Sequence, residues 1–175
     1  MSRYPGSYYY GWGTDWVSDL TSTNSNNWGT VFKVRTPSWN GQTVTTPGGY
    51  AYMCSGCAQN SAYRGAVVGE VTISVTRSSL GFTASITVGS VPSGYSVFDV
   101  NMFLGYSYPS NAPGSWKPKP NTSALPPSAS SFTVTSSAAL PFSTGYYVGC
   151  TLYVALHYVS SRPCTLQQTP CTGRR

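Results

Sequence analysis

The residues best equipped for chemistry in this chain are five cysteines, one histidine and four carboxylates. Cys54 and Cys57 form a Cys-Ser-Gly-Cys pair, Cys150 opens the stretch "CTLYVALHYV", and Cys164 and Cys171 stand near the C-terminus. A closed zinc site takes four thiolate or imidazole ligands. The second half of such a motif is missing and His157 is the single imidazole, so no metal is expected. Redox Cys-x-x-Cys motifs sit at a helix N-terminus that lowers the thiolate pKa, and no helical pattern is seen. Structural disulfides remain, with Cys164 to Cys171 and Cys150 to Cys54 or Cys57 as the expected pairs. Each such bridge stabilises by about 2–4 kcal/mol. An odd thiol is left over, either buried and inert or crosslinked to a neighbouring chain.

Catalysis finds little support. The chain lacks Gly-x-Ser-x-Gly, and a Ser/His/Asp array would have to use His157, which stands mid-strand among apolar neighbours. The carboxylates Asp15, Asp19, Glu70 and Asp99 are scattered, whereas a glycosidase needs two facing carboxyls about 5–9 Å apart. No glycine-rich loop leads into a helix to cradle a phosphate. No catalytic residue and no cofactor are expected.

The elements that would have to position such groups are strands. In "VTISVT" Val71, Ile73 and Val75 alternate with Thr72, Ser74 and Thr76. In "FTASITV" Phe82, Ala84, Ile86 and Val88 alternate with Thr83, Ser85 and Thr87. Strict alternation marks half-buried strands, and "RSSLG" between them carries the small residues of a hairpin. Phe98, Val100, Met102 and Leu104 form the apolar face of another strand, opposite Asp99 and Asn101. Trp28–Val34, Tyr50–Met53 and Phe132–Thr135 read as strands too. The last, from Cys150, is apolar on both faces, as in a central strand covered above and below. No window shows a 3.6-residue apolar stripe, and glycine or proline interrupts nearly every helical candidate.

The expected fold is all-β: an antiparallel two-sheet β-sandwich over residues 17–160. An aromatic Tyr/Gly-rich arm precedes it (1–16), and a disulfide-tethered tail follows it (161–175). The Pro-rich segment 108–131 is expected to be a long surface loop, since proline lacks the N–H that a sheet interior requires. It holds the sequon Asn121-Thr122-Ser123.

Charged residues are 8% of the chain, ten Lys and Arg against four Asp and Glu, net +6. The cations are spread singly, which argues against a nucleic-acid patch and leaves a general attraction to anionic polysaccharide or mineral surfaces. No apolar run is long enough to span a bilayer. Five cysteines with Thr/Ser/Tyr-rich strands read as an extracellular, secreted chain whose leader is absent.

Several segments resemble a group of small secreted β-sandwich domains from bacteria and marine invertebrates. "GCTLYVALHYV" is similar to their closing Cys, Leu-Tyr-Ile/Val-Ala-x-His strand, and "NWGTVFKV" to their Trp-Gly-Thr-Tyr-Phe strand. "VVGEVTISVTRSSLGFTASITV" resembles their Val-Gly-x-Val hairpin, and "NMFLGYSYPSNAPGSWKP" their strand entering a Pro-rich loop. The resemblance implies the fold and secretion, and carries no activity.

The arm "SRYPGSYYYGWGTDW" adds six aromatic rings. Tyrosine offers a rigid surface with a polar tip, which favours it at interfaces. The residues expected to join copies of the chain are Arg3, Tyr4, Tyr8, Tyr9, Tyr10 and Trp12, with arginine stacking on rings. The expectation is therefore a non-enzymatic structural protein that self-associates into an extracellular fibre, cement or shell-type material through the arm and disulfides. The alternative is a lectin-like carbohydrate-binding module; a membrane-active toxin lacks an inserting segment.

Overall fold

The structure, a computed structural model, describes residues 13–15, 30–46, 52–55, 66–93, 95–110, 112–120, 130–145 and 150–161. Its strands are β1 (Gly13–Asp15), β2 (Thr30–Arg35), β3 (Thr43–Thr45), β4 (Tyr52–Ser55) and β5 (Ala66–Ser78). After these come β6 (Gly81–Gly89), β7 (Ser96–Gly105), β8 (Phe132–Thr135) and β9 (Thr151–Ser161). Among the described residues, helix is limited to one 3-10 turn, Pro113–Ser115. The all-β expectation holds at this level: the strands form two antiparallel sheets. Sheet A runs β1-β2-β9-β7, and sheet B runs β3-β5-β6-β8 with β4 also on β5. β3 lies against Thr76–Ser74 and β4 against Glu70–Ala66, so the two occupy opposite ends of one edge of β5.

The alternation in the hairpin becomes register. Val71, Ile73 and Val75 lie opposite Val88, Ile86 and Ala84, and all six are buried. They share one core with Phe32 and Val34 of β2, Met102 and Leu104 of β7, and Leu152 and Val154 of β9. Residues of both sheets thus meet in a common apolar interior, each large side chain contributing about 1.5–3 kcal/mol. β9 is central in sheet A and buried on both faces: Leu152 and Val154 face this core, and Ala155 lies in a second cluster with Val31 and Trp116.

Three features depart from the sequence reading. β1 lies inside the segment read as an arm, and it pairs with β2 through Gly13↔Phe32 and Asp15↔Thr30. β3 was not expected, because three residues are too few to display a period of two. In β7 the register shifts between Phe98 and Asn101. A bulge breaks the alternation there, so Val97 and Val100 are both buried in the core. The apolar face therefore does not follow the even-numbered positions throughout.

The described part of the Pro-rich segment lies outside the named strands. Its described first part lies against sheet A, and Trp116 is only 2% exposed. The indole Nε1–H donates to the Ser110 carbonyl at 2.8 Å, and Phe103 meets the ring edge-on at 6.0 Å. The Leu104 N–H donates to the Lys117 carbonyl at 3.4 Å. Proline keeps this segment out of a ladder, but it does not stop an aromatic residue between prolines from burying its large apolar area.

Where the chain leaves sheet B, hydroxyls finish the ladder. The Thr46 N–H donates to the Ile73 carbonyl, and the Ile73 N–H donates to Thr46 Oγ1 at 2.9 Å. Ser136 does the same for Ala84 on the other side, its Oγ accepting from the Ala84 N–H at 3.1 Å. Both side chains are buried. Replacing Thr46 by valine keeps the shape and strands the Ile73 N–H, so the expected loss is about 1–3 kcal/mol. Urea titration checks this, and an unchanged midpoint would show that the hydroxyl is dispensable.

Candidate interaction surface

The outward face of sheet B is built from the other half of the same alternation. Thr43, Thr76 and Thr83 form one row across the strands, and Thr45, Ser74, Ser85 and Thr135 form the next. Thr72, Thr87 and Thr133 form a third. The hydroxyls bond laterally: Thr43 to Thr76 at 2.8 Å, Thr45 to Ser74 at 2.9 Å, Ser85 to Thr135 at 3.2 Å and Thr87 to Thr133 at 2.9 Å. Thr–Thr and Thr–Ser pairs of this kind stabilise a sheet by roughly 0.2–1 kcal/mol each. Pairing them leaves threonine methyls and half-satisfied oxygens as the surface. These three rows contain no charge; the carboxylate of this face, Glu70, stands at its end, opposite Gly89 and Tyr52, so covering the rows alone removes no ion from water.

One end of the molecule carries exposed apolar groups. Trp39, between β2 and β3, is 63% exposed, and Leu80, in the β5–β6 turn, is 76% exposed. Nearby, the Arg77 Nη1–H donates to the Ser38 carbonyl, and its guanidinium lies 5.1 Å from the Phe142 ring centre. Phe142 in turn meets Phe82 edge-on at 5.3 Å. The arginine stem and these rings close the core at this end.

The outward face of sheet A is aromatic and cationic. Lys33 lies opposite Tyr153 in the register of β2 and β9. Its Nζ stands 5.3 Å from the Tyr108 ring centre and 6.0 Å from that of Tyr153. Those two rings are 4.6 Å apart and tilted by 47°. Both pack against the Val31, Trp116 and Ala155 cluster. Tyr108 comes from the anchored loop, Tyr153 from the central strand, and only the fold brings them together.

Arg3, Tyr4, Tyr8, Tyr9, Tyr10 and Trp12 lie outside the described residues, as do Cys57, Cys164, Cys171 and Asn121. Cys150 is a half-buried free thiol, and its carbonyl accepts from the Thr36 N–H at 2.9 Å. It therefore sits at the Arg77 end of the molecule. Cys54 lies on β4 opposite Val67, near the other end of β5. Cys57, the other expected partner of Cys150, lies outside the described residues. His157 is half-buried on β9 opposite Asn101. The described residues contain no cluster of three or more His, Cys, Asp or Glu side chains able to hold a metal. Among them, no helix is long and apolar enough to cross a membrane.

The lateral hydroxyl bonds are what the sequence reading missed. The Thr/Ser positions of β5 and β6 were legible, but their alignment with β3 and β8 depends on register. The signal that could have found it is the "TVT" repeated at Thr43–Thr45 and Thr133–Thr135. No protein-family model matches the chain, and neither a curated protein nor a solved structure matches it.

Proposed function

We propose that this is a secreted structural protein, a β-sandwich that self-associates into an extracellular material. The observation that carries the reading is the three uncharged hydroxyl rows on the outward face of sheet B, with Glu70 only at their end. Surface charge ordinarily keeps copies of a protein apart, and the rows of paired threonines and serines have none to offer. Two such faces in contact exchange hydroxyl–water bonds for hydroxyl–hydroxyl bonds and cover threonine methyls, at little desolvation cost. The aromatic arm, with Arg3, Tyr4, Tyr8, Tyr9, Tyr10 and Trp12, adds a second contact in this account. The cysteine left over from pairing adds a covalent one.

Lysines introduced at the exposed positions Thr45 and Thr87 test the face. They place uncompensated charge on each of two adjoining copies, and association weakens at least about tenfold. Exposed substitutions of this kind shift folding stability by only about 0.5 kcal/mol, so circular dichroism should be unchanged. Equal association by the lysine variant and the parent would remove the face from the account.

A carbohydrate-binding module is the second reading, supported by Trp39. An exposed indole followed by Asn40 and Gln42 has the chemistry of sugar stacking flanked by amide hydrogen bonds. A glycan array separates the readings: Trp39→Ala abolishes binding if the indole is a sugar platform, and changes nothing if the chain binds only itself.

A further inference from the structure

We propose that Tyr108 and Tyr153 are a modification site, an oxidative crosslink that joins the anchored loop to the central strand through one carbon–carbon bond. The inference does not depend on self-association, because both partners belong to one chain. It rests on the contact between the two rings, 4.6 Å between centres. Both phenols are half-buried and so remain within reach of an oxidant at the surface. Beneath them Trp116 fixes the loop, through its hydrogen bond to the Ser110 carbonyl and its packing on Val31 and Ala155. Tyr108 is thereby held against Tyr153 before any reaction begins. Reacting groups held in contact combine at effective concentrations far above those of separate molecules.

The step balances as follows. Each phenol gives up one electron and its hydroxyl proton, leaving a phenoxyl radical whose spin extends to the ring carbons beside the oxygen. The two radicals join through one such carbon each. The hydrogens on the joined carbons then move to the oxygens, and both rings regain aromaticity and their hydroxyl groups. The protein loses two hydrogens in total. Hydrogen peroxide, used by a peroxidase, takes up the two electrons and two protons and leaves as two waters.

The linkage would close a loop from residue 108 to residue 153. Such a bond restricts the unfolded chain in the way a disulfide does, and it would survive reductants that open disulfides. The chain holds 14 tyrosines, so the test must identify which of them react.

The full chain at high dilution is treated with a peroxidase and hydrogen peroxide, then studied by intact mass, dityrosine fluorescence and a chymotryptic map. The expected product is a monomer lighter by two hydrogens, with one fragment pair joined through Tyr108 and Tyr153. Tyr108→Phe and Tyr153→Phe keep the ring packing and each lower the monomeric product at least about tenfold. Tyr106→Phe, on the same loop, leaves the yield unchanged. Near-ultraviolet circular dichroism confirms that all three variants are folded. Unchanged yield in either of the first two variants, or coupling found only between molecules, would overturn the proposal.

Discussion

Replacing Trp116 by alanine lowers the stability of the folded chain by about 3–5 kcal/mol. The magnitude follows from burial: the indole is 2% exposed and fills the space between Val31, Ala155 and the ring of Phe103. Removing it leaves a cavity over the central strand of sheet A, which that strand cannot close because its other face is held by the shared core. Trp116→Phe is the informative companion. It restores most of the volume and sacrifices the indole N–H donated to Ser110, so its loss is about 1 kcal/mol. The alanine variant also frees the loop that presents Tyr108, and the peroxidase product should fall with it. Guanidinium denaturation of both variants checks the ledger. An alanine variant as stable as the parent would show that the buried indole does not anchor the segment to sheet A.

The second large effect is at Gly81, where β6 begins. Its φ of +135° is a conformation that side chains rarely adopt, and a Cβ there would lie 1.9 Å from the Leu140 carbonyl oxygen. That oxygen is backbone and cannot rotate aside. It also accepts from the Phe82 N–H at 2.9 Å while the Leu140 N–H donates to the Phe82 carbonyl at 2.7 Å. An added methyl must break this two-bond bridge or distort the β5–β6 turn, so Gly81→Ala costs about 3 kcal/mol or more. Gly41 provides the control. Its φ is +87°, but nothing lies within 4 Å of the position a Cβ would take. Gly41→Ala therefore carries only the conformational cost, roughly 1–2 kcal/mol. Similar losses at the two sites in thermal melts would refute the steric part of this argument.

How much of this was legible in the sequence depends on the range of the interaction. The β5–β6 hairpin could be read because its partners are neighbours and its alternation is clean, and Phe132–Thr135 was recovered as β8 with the same bounds. The central position of β9 was legible from its two apolar faces. The bulge in β7 was not, because a register shift adds no residue type to the sequence. The anchoring of the Pro-rich segment was hidden for a related reason. Its prolines advertise exclusion from a ladder, and one tryptophan among them does not reveal that it has somewhere to be buried.

The candidate surfaces divide in the same way. The threonines of β5 and β6 were read as one coated face, yet the rows that extend it over β3 and β8 arise from pairings across long sequence separations. The Tyr108–Tyr153 contact joins a loop to a strand 45 positions later, and no local pattern anticipates it. Cys54 lies on β4 of sheet B and Cys150 beside β9 of sheet A, a placement that topology sets and cysteine spacing does not reveal.

Sedimentation of the full chain over a thousandfold range of concentration, with and without reductant, tests the association account most directly. The account predicts a weight-average mass that climbs with concentration in both conditions, reductant removing only the covalent share. A single species at the monomer mass throughout, in either condition, would contradict it.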